Sequence, residues 1–237
     1  MNITSDPCVW CGVRCSHTRN AARNVTVTDL MLEHNSLVGS LPSELGLMPS
    51  LQRVSLYLNP DLGGALPSEL GQLSNLIFGI AVGGCRITSS LPTELGLLTA
   101  AKKGLSIRNN NITGQIPSQL GQMTAMSSGL DFGNNSLRGS IPSELAYATN
   151  IYRGGIDLHA NSLSGSIPTQ LGKMAPSAVG FDLTPLIVGG FFVNINKLTG
   201  TIPTQLGRFS YTTAVSSTAS CNDGRGGGAC PLDTWPI

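Results

Sequence analysis

The chain of 237 residues has few charged side chains, few aromatic side chains and few histidines. Charged residues make up 11% of the sequence, aromatic residues make up 5%, and the formal net charge is +1. Because a nucleic-acid-binding protein needs a basic face or stripe, this composition argues against a nucleic-acid partner. The three histidines, His17, His34 and His159, lie far apart and show no metal-ligand spacing. We therefore expect neither a metal site nor a cofactor.

Catalytic motifs are also missing from the sequence. Asp131, Phe132 and Gly133 spell the metal-binding triplet of protein kinases, but no glycine-rich loop or catalytic loop accompanies them. The glycine-rich run at 224–228 does not join a strand to a helix, so it does not predict a phosphate cradle. No set of residues meets the geometric roles that an active site needs, and we predict that the protein is not an enzyme.

The sequence has no long, uninterrupted apolar run. Its most apolar stretch, residues 175–193, contains Asp182, two prolines and three glycines. A charged side chain inside a membrane span is costly, and such a span needs about 20 predominantly apolar residues. We therefore predict a loop followed by a strand in this stretch, and no membrane span in this chain.

What the sequence does contain is repetition. A phrase of the general form L-x-G-x-I-P-S/T-E/Q-L occurs seven times, and its prolines are 25 or 26 residues apart except for one gap of 35. A period in the twenties predicts one supersecondary unit stacked on itself. Repeat proteins of this kind present a long binding surface rather than a catalytic pocket. The prolines are Pro42, Pro67, Pro92, Pro117, Pro142, Pro168 and Pro203.

Each repeat contains a short strand pattern that is followed by an asparagine. The L-x-L step has period two, so its two apolar side chains point to one face of a strand. An amide both donates and accepts hydrogen bonds, so it can pair backbone groups of its own turn and of the next one. We predict a ladder of these residues, with a cysteine as a small, buriable substitute in the third repeat. The ladder positions are Asn35, Asn59, Cys85, Asn110, Asn135, Asn161 and Asn196.

This pattern resembles the plant-type leucine-rich repeat family, which the I-P-x-x-L-G signature distinguishes from other leucine-rich repeats. The resemblance covers about residues 8 to 210. It implies an α/β solenoid, a right-handed superhelix of seven repeats with a concave parallel β-sheet, 3₁₀ segments on the outer side, and end caps. We assign residues 1–26 to an N-terminal cap, 27–210 to the solenoid and 211–237 to a C-terminal cap or tail.

The N-terminal run DPCVWCGVRC resembles the cap motif D-P-C-x-W-x-G-V-x-C of this family. The resemblance implies a disulfide between Cys8 and Cys15, with Trp10 packed over the first repeat. Cys11 has no counterpart in the motif, and a zinc site that uses these three cysteines with His17 is the alternative interpretation. The family cap usually begins with helical sequence ahead of this motif, and here only five residues precede Asp6, so we expect an incomplete cap.

Further cysteines and glycosylation sequons indicate the compartment. Cys221 and Cys230 have a spacing that suits a loop-closing disulfide. Disulfides and N-x-S/T sequons together favour an extracellular or cell-surface location. The N-terminus has no apolar h-region, so we expect any secretory signal of the native protein to lie outside this chain. The four sequons are at Asn2, Asn24, Asn111 and Asn134.

Two irregularities interrupt the repeat. The gap of 35 residues indicates an insertion near 180–190, which should bulge at the edge of the solenoid. Most units are also one residue longer than the 24 that are usual in the family, and in five of them a glycine lies just before the strand. A glycine can absorb an extra residue as a bulge without steric cost. These glycines are Gly79, Gly104, Gly129, Gly155 and Gly190.

In this family the concave sheet usually holds the ligand, so the outward strand positions are the candidate contacts. Aromatic, acidic and imidazole groups are concentrated at the two ends, and the third repeat is nearly bare. A glycan at the Asn134 sequon, at the rim of the sheet, would obstruct its middle. The predicted contact path consists of Glu33, Tyr57, Arg108, Asp131, Asp157, His159 and Phe192.

The resemblance implies a non-enzymatic extracellular recognition module in receptor-like signalling or defence. It would bind a protein or peptide ligand, or a glycan, and we expect the chain alone to be monomeric. One alternative is a secreted inhibitor of cell-wall hydrolases, which a basic concave patch would favour and this chain lacks. The other is a structural or ice-binding scaffold with a regular outer face, although turns also select such residues. That face would include Ser40, Ser90, Ser140, Ser166 and Thr201.

Overall fold

The computed structural model describes residues 6–17, 25–151, 155–174 and 191–208, which contain fourteen short strands and eight 3₁₀-helices but no α-helix. The strands are β1 Val13–His17, β2 Val25–Met31, β3 Gly39–Ser40, β4 Arg53–Ser55, β5 Leu62–Ala65, β6 Ile80–Ala81, β7 Arg86–Thr88, β8 Leu105–Ser106, β9 Leu130–Asp131, β10 Arg138–Gly139, β11 Ile156–Asp157, β12 Ser162–Gly165, β13 Phe191–Phe192 and β14 Lys197–Leu198. The 3₁₀-helices are Pro7–Val9, Ser43–Leu47, Ser68–Gln72, Thr93–Leu97, Ser118–Gln122, Ser143–Tyr147, Thr169–Met174 and Thr204–Arg208.

One long sheet runs along the molecule in the order β1-β2-β4-β6-β8-β9-β11-β13. From β2 to β13 all neighbours are parallel, and equivalent residues of successive repeats pair, as Ile80 does with Leu105. Each strand comes from the L-x-L step of one repeat. The predicted leucine-rich repeat solenoid with a parallel sheet is thereby confirmed.

The L-x-G segments form a second set of strands. The described strands make two three-stranded sheets, β3-β5-β7 and β10-β12-β14, and a bridge between Ser90 and Thr113 lies between them in the chain. A proline follows each segment and precedes a 3₁₀-helix, as at Pro67, whose carbonyl accepts from the Leu70 N–H at 3.2 Å. Proline suits this place because its fixed φ leads the chain into the turn and its missing N–H needs no partner.

The core is a stack of equivalent apolar side chains. Val54 from a strand, and Leu70 and Leu95 from the 3₁₀-helices, have no accessible surface. Phe132 fills a leucine position at 1% exposure, so the kinase-like triplet belongs to the L-x-L segment of a repeat. Each fully buried leucine stabilises the fold by roughly 1.5 to 3 kcal/mol relative to an exposed one.

The predicted asparagine ladder is present. The Asn110 amide donates to the carbonyls of Val82 (2.9 Å) and Ile107 (3.0 Å), and its oxygen accepts from the Ile87 N–H at 2.9 Å. One side chain thus pairs backbone groups of two successive repeats, which would otherwise be buried without partners. The same arrangement recurs at Asn59, Asn135, Asn161 and Asn196.

Cys85 occupies the ladder position of the third repeat, as expected. Its Sγ lies 3.4 Å from the carbonyl oxygen of Leu56, and burial raises the pKa of the thiol above its ordinary value although a hydrogen bond with the Asn59 backbone acts in the opposite direction. A thiol is a weak acceptor, and the Leu62 N–H donates to the Asn59 carbonyl at 3.0 Å instead. The substitution therefore keeps the volume of the ladder but loses one acceptor.

Glycines absorb the extra residue before the strand. Gly79, Gly104, Gly129 and Gly155 have φ angles of 68°, 71°, 105° and 67°, a region that other residues avoid. A Cβ on any of the first three would overlap the carbonyl oxygen of the next glycine in the column. The prediction for these four positions is confirmed.

The N-terminal cap is confirmed in its disulfide but not in its tryptophan. Cys8 and Cys15 are bonded, which removes two of the thiols from the alternative zinc site. The prediction that Trp10 packs over the first repeat is wrong, because 53% of its surface is exposed. Backbone covers the sheet edge instead, since β1 pairs with β2 in the antiparallel sense.

Within the part of the chain that is described, no helix has the length and apolarity to cross a membrane.

Several sequence-based predictions lie outside the described residues. They concern the Cys221–Cys230 disulfide, the sequons at Asn2 and Asn24, Gly190, the insertion near 180–190 and the tail at 211–237.

Candidate ligand-binding face

The outward side chains of the long sheet form two rows along its surface, which we call the concave face. The register of the paired strands aligns the residues of the first row, and the backbone hydrogen bonds that continue beyond the strand ends align those of the second row. The first row contains Met31, Ser55, Ala81, Ser106, Asp131, Asp157 and Phe192. The second row contains Glu33, Tyr57, Gly83, Arg108, Gly133, His159 and Asn194.

Two glycines in the second row make room for large neighbours. A Cβ on Gly83 would lie 2.8 Å from the Tyr57 ring and 3.0 Å from Cγ of Arg108. A Cβ on Gly133 would overlap the His159 ring. The side chains of Tyr57 and Arg108 therefore lie against the backbone at Gly83, and the side chain of His159 lies against the backbone at Gly133. These contacts keep the three side chains close to the sheet.

Four charged or ionisable side chains meet in the middle of the face. Asp131 and Asp157 pair directly in register on neighbouring parallel strands. Nη1 of Arg108 lies 3.8 Å from Oδ2 of Asp131, and Nδ1 of His159 lies 2.6 Å from Oδ1 of Asp157. The Ser106 hydroxyl donates to Asp131 Oδ2 at 3.3 Å. We call these five residues the central cluster.

The central cluster is incompletely satisfied. Burial raises the pKa of Asp131 above its ordinary value, the charge of Asp157 raises it further, and Arg108 acts in the opposite direction. Oδ1 of Asp131 and Nε of Arg108 are buried without a hydrogen-bond partner. Buried polar atoms in folded proteins nearly always have partners, so an orphaned donor and acceptor in one cluster are unusual and costly.

The N-terminal end of the face is better satisfied. Arg53 Nε lies 3.4 Å from Asp29 Oδ1, and the guanidinium stacks 4.2 Å from the centroid of the Phe78 ring. The rings of His34 and Tyr57 meet edge to face at 6.5 Å. Charge and aromatic surface are thus compensated within the protein at this end, unlike in the central cluster.

All seven predicted contact residues lie on the concave face and are partly buried. Four of them belong to the central cluster, while Phe192 is next to Asp157 in register and Glu33 is next to Tyr57 in its row. Ser106, Gly83 and Gly133 are also outward strand positions by the sequence register, but the predicted contact path does not include them. Among the described residues, no three His, Cys, Asp or Glu side chains are grouped to hold a metal ion.

Comparisons with known proteins agree with the fold. The family model described as Leucine Rich Repeat matches residues 103–123, and no curated protein matches the sequence. A plant peptide hormone receptor, RGFR1 in complex with RGF2, is 32% identical over 73% of this chain and 25% of its own, with a TM-score of 0.63. The ectodomain of the Arabidopsis thaliana receptor kinase GASSHO1/SCHENGEN3, in complex with CASPARIAN STRIP INTEGRITY FACTOR 2, is 29% identical over 86% of this chain and 25% of its own, with a TM-score of 0.69.

The chain is a plant-type leucine-rich repeat protein. It spans about a quarter of the length of these two receptor chains. A plant ice-binding protein has a similar fold, with a TM-score of 0.62 and 22% identity over 86% of this chain and 74% of its own. At that identity the likeness concerns the fold alone.

The outer face of this leucine-rich repeat protein is more regular than the concave face. Ser or Thr follows every repeat proline, and Glu or Gln comes next. Glu44, Glu69, Glu94 and Glu144 lie in the first turn of 3₁₀-helices, as expected for outer-face carboxylates. The proposed ice-binding column is exposed, but Ala65 and Gln115 interrupt it.

Two predicted sequons can be placed on the leucine-rich repeat fold. Asn111 is exposed at the start of the outer segment of its repeat. Asn134 is exposed at the rim of the concave face, where its amide donates to the Asn109 side-chain oxygen at 2.8 Å. The position of Asn134 is therefore close enough to the central cluster for a glycan to affect access to it.

Proposed function

We propose that this chain is a non-enzymatic extracellular recognition module that binds a peptide or protein segment along its concave face, in receptor-like signalling or defence. The observation that carries the proposal is the central cluster, where Asp131 and Asp157 pair in register beside Arg108 and His159 and keep 29% and 25% of their side-chain surface exposed. The similar receptors, whose structures are complexes with RGF2 and with CASPARIAN STRIP INTEGRITY FACTOR 2, support a polypeptide as the ligand.

The dimensions of the face suit an extended peptide. The seven parallel strands of the sheet span six intervals, which at about 4.8 Å each gives a face roughly 29 Å long. An extended chain advances about 3.3 Å per residue, so a segment of roughly nine residues would cover it. The contact path proposed above runs over most of this length, from Glu33 to Phe192.

The experiment is a selection from a displayed library of random dodecapeptides on the immobilised protein. Captured peptides are then measured against two variants that each introduce a tryptophan. Ala81→Trp places an indole in the middle of the first row, whereas Leu97→Trp enlarges a side chain that is 56% exposed on the outer side.

We expect Ala81→Trp to abolish capture and Leu97→Trp to leave it unchanged. Failure to enrich any peptide, or peptides that are lost with Leu97→Trp and kept with Ala81→Trp, would contradict the proposal. Thermal unfolding of both variants checks that they remain folded.

A further inference from the structure

The concave face has a charge of its own that the whole chain does not share. The two rows of this face, together with Asp29 and Arg53 two residues ahead of the first row, contain four carboxylates and two guanidinium groups, whereas the chain has a formal net charge of +1. The face is therefore net acidic when His159 is neutral. The carboxylates are Asp29, Glu33, Asp131 and Asp157, and the guanidinium groups are Arg53 and Arg108.

The negative charge is not spread evenly. Asp29 is compensated by Arg53 at 3.4 Å, and that guanidinium is also held by the Phe78 ring. In the central cluster two carboxylates pair in register, while the one guanidinium approaches no closer than 3.8 Å. That separation exceeds a hydrogen bond, and like charges directly opposite each other on a sheet are unfavourable.

The central cluster also has hydrogen-bonding capacity that the protein does not use. Asp131 Oδ1 can only accept when ionised and has no donor, and Arg108 Nε can only donate and has no acceptor. These two atoms are themselves buried, but Asp131 and Asp157 keep 29% and 25% of their side-chain surface exposed, so an incoming group can reach the exposed part of both carboxylates. Burial and then the charge of Asp157 raise the pKa of Asp131, while Arg108, the Gly133 backbone and Ser106 act in the opposite direction.

We infer that the ligand is a basic peptide, and that a cationic nitrogen of the peptide, from Lys, Arg or its N-terminal amine, binds between Asp131 and Asp157. This rests on the proposed function and names the chemical class of its ligand. The cation supplies donors to the two carboxylates, and an adjacent backbone carbonyl of the peptide can accept from Arg108. Charge complementarity of this kind chiefly raises the association rate and the specificity.

The same peptide selection tests this inference by its composition. We expect captured peptides to be enriched in Lys and Arg, with binding about five- to tenfold weaker to the double variant D131N/D157N and weaker at higher salt. The matched control is E94Q/E144Q, which removes two carboxylates from the exposed outer face and should leave binding unchanged. Thermal unfolding checks that both double variants are folded.

Each result has a definite meaning. Basic peptides that lose affinity with D131N/D157N, keep it with E94Q/E144Q and respond to salt support the inference. Peptides that depend on Ala81 but show no Lys or Arg enrichment, or bind D131N/D157N equally well, overturn the inference and leave the proposed function in place. If no captured peptide depends on the concave face, both are overturned.

Discussion

The concave and outer faces of this molecule come from the same repeats but follow different rules. On the outer side the same residue types recur from repeat to repeat, as in the Ser/Thr that follows each proline. On the concave side the second row reads Glu33, Tyr57, Gly83, Arg108, Gly133, His159 and Asn194, with one residue type used twice. Within each face, the residues that are compared occupy equivalent backbone positions in successive repeats. Backbone geometry therefore does not explain why residue types vary on the concave face and recur on the outer face.

The comparison separates columns that build the solenoid from columns that are free to vary. The glycine column before the strand and the asparagine ladder are nearly uniform because their members contact the backbone of a neighbouring repeat. The concave rows contact solvent on one side, so stability does not select their residues. In a repeat protein, variation at otherwise equivalent positions therefore indicates where binding occurs.

The largest expected effect comes from breaking a uniform column. Gly104→Ala introduces a Cβ at positive φ that overlaps the Gly129 carbonyl, and we expect a loss of about 3 kcal/mol or more in the free energy of unfolding. Gly39→Ala is the matched control, since its φ is 102° but no atom lies within 4 Å of the new Cβ. Urea unfolding of both variants measures the two losses in the free energy of unfolding. Equal losses would contradict the claim that close contact within the glycine column requires glycine.

The asparagine ladder should respond nearly as strongly. Asn110→Ala leaves the carbonyl of Val82 and the N–H of Ile87 without partners, whereas the Ile107 carbonyl keeps the Asn135 amide, so we expect a loss of about 2 to 4 kcal/mol. Asn35→Ala, at the exposed first position, should cost less than about 1 kcal/mol. Urea midpoints that shift by the same amount in both variants would contradict the stabilising role that we assign to the buried ladder asparagines.

The single exception in the ladder gives a smaller effect of opposite sign. Cys85→Asn restores the acceptor that a thiol does not supply, and we expect a gain of about 1 kcal/mol. Its measurement is the same urea titration, carried out in a Cys11→Ser background without a reducing agent, because a reductant would also open the Cys8–Cys15 disulfide. A destabilised variant would show that the third repeat has adapted to sulfur.

The smallest expected effect lies in the varying rows and depends on pH. The folded-state pKa of Asp131 is raised, so ionising this carboxyl opposes folding, and the cost is absent below its unfolded pKa and complete above its folded pKa. Asp131→Asn should therefore stabilise the protein at neutral pH by less than about 1 kcal/mol, because the site is partly exposed. The gain should fade as the pH drops towards about 4, the ordinary pKa of aspartate.

Unfolding titrations between pH 3 and pH 8 follow this change directly. Ser106→Ala, which removes a donor to the same carboxylate, is the matched control and should lower stability at neutral pH. An Asp131→Asn variant that is less stable at pH 7 than at pH 4, relative to the native protein, would contradict the assignment.

Most of the fold could be predicted because its determinants are local and repeated. The positions of the strands, the Asn110 type of hydrogen bond, the place of Cys85 and the Cys8–Cys15 disulfide all follow from spacing or from the cap motif. Trp10 could not be placed, because the motif does not say that strand β1 covers the sheet edge.

The candidate site was predictable in outline only. Side-chain alternation placed the outward residues, but the pairing of Asp157 with His159 depends on rotamers that no pattern encodes. The orphaned atoms of Arg108 and Asp131 likewise result from distances between strands. The role of Gly83 required knowing that two large side chains lie over it.

The most direct test of the division between the two faces is photo-crosslinking of a selected peptide. Benzoylphenylalanine is placed at Met31, Ser55 or Phe192 on the concave face, and at Leu47, Leu97 or Tyr147 on the outer side. We predict peptide adducts from all three concave positions and none from the outer positions. Adducts at the outer positions, with none from the concave face, would contradict the account.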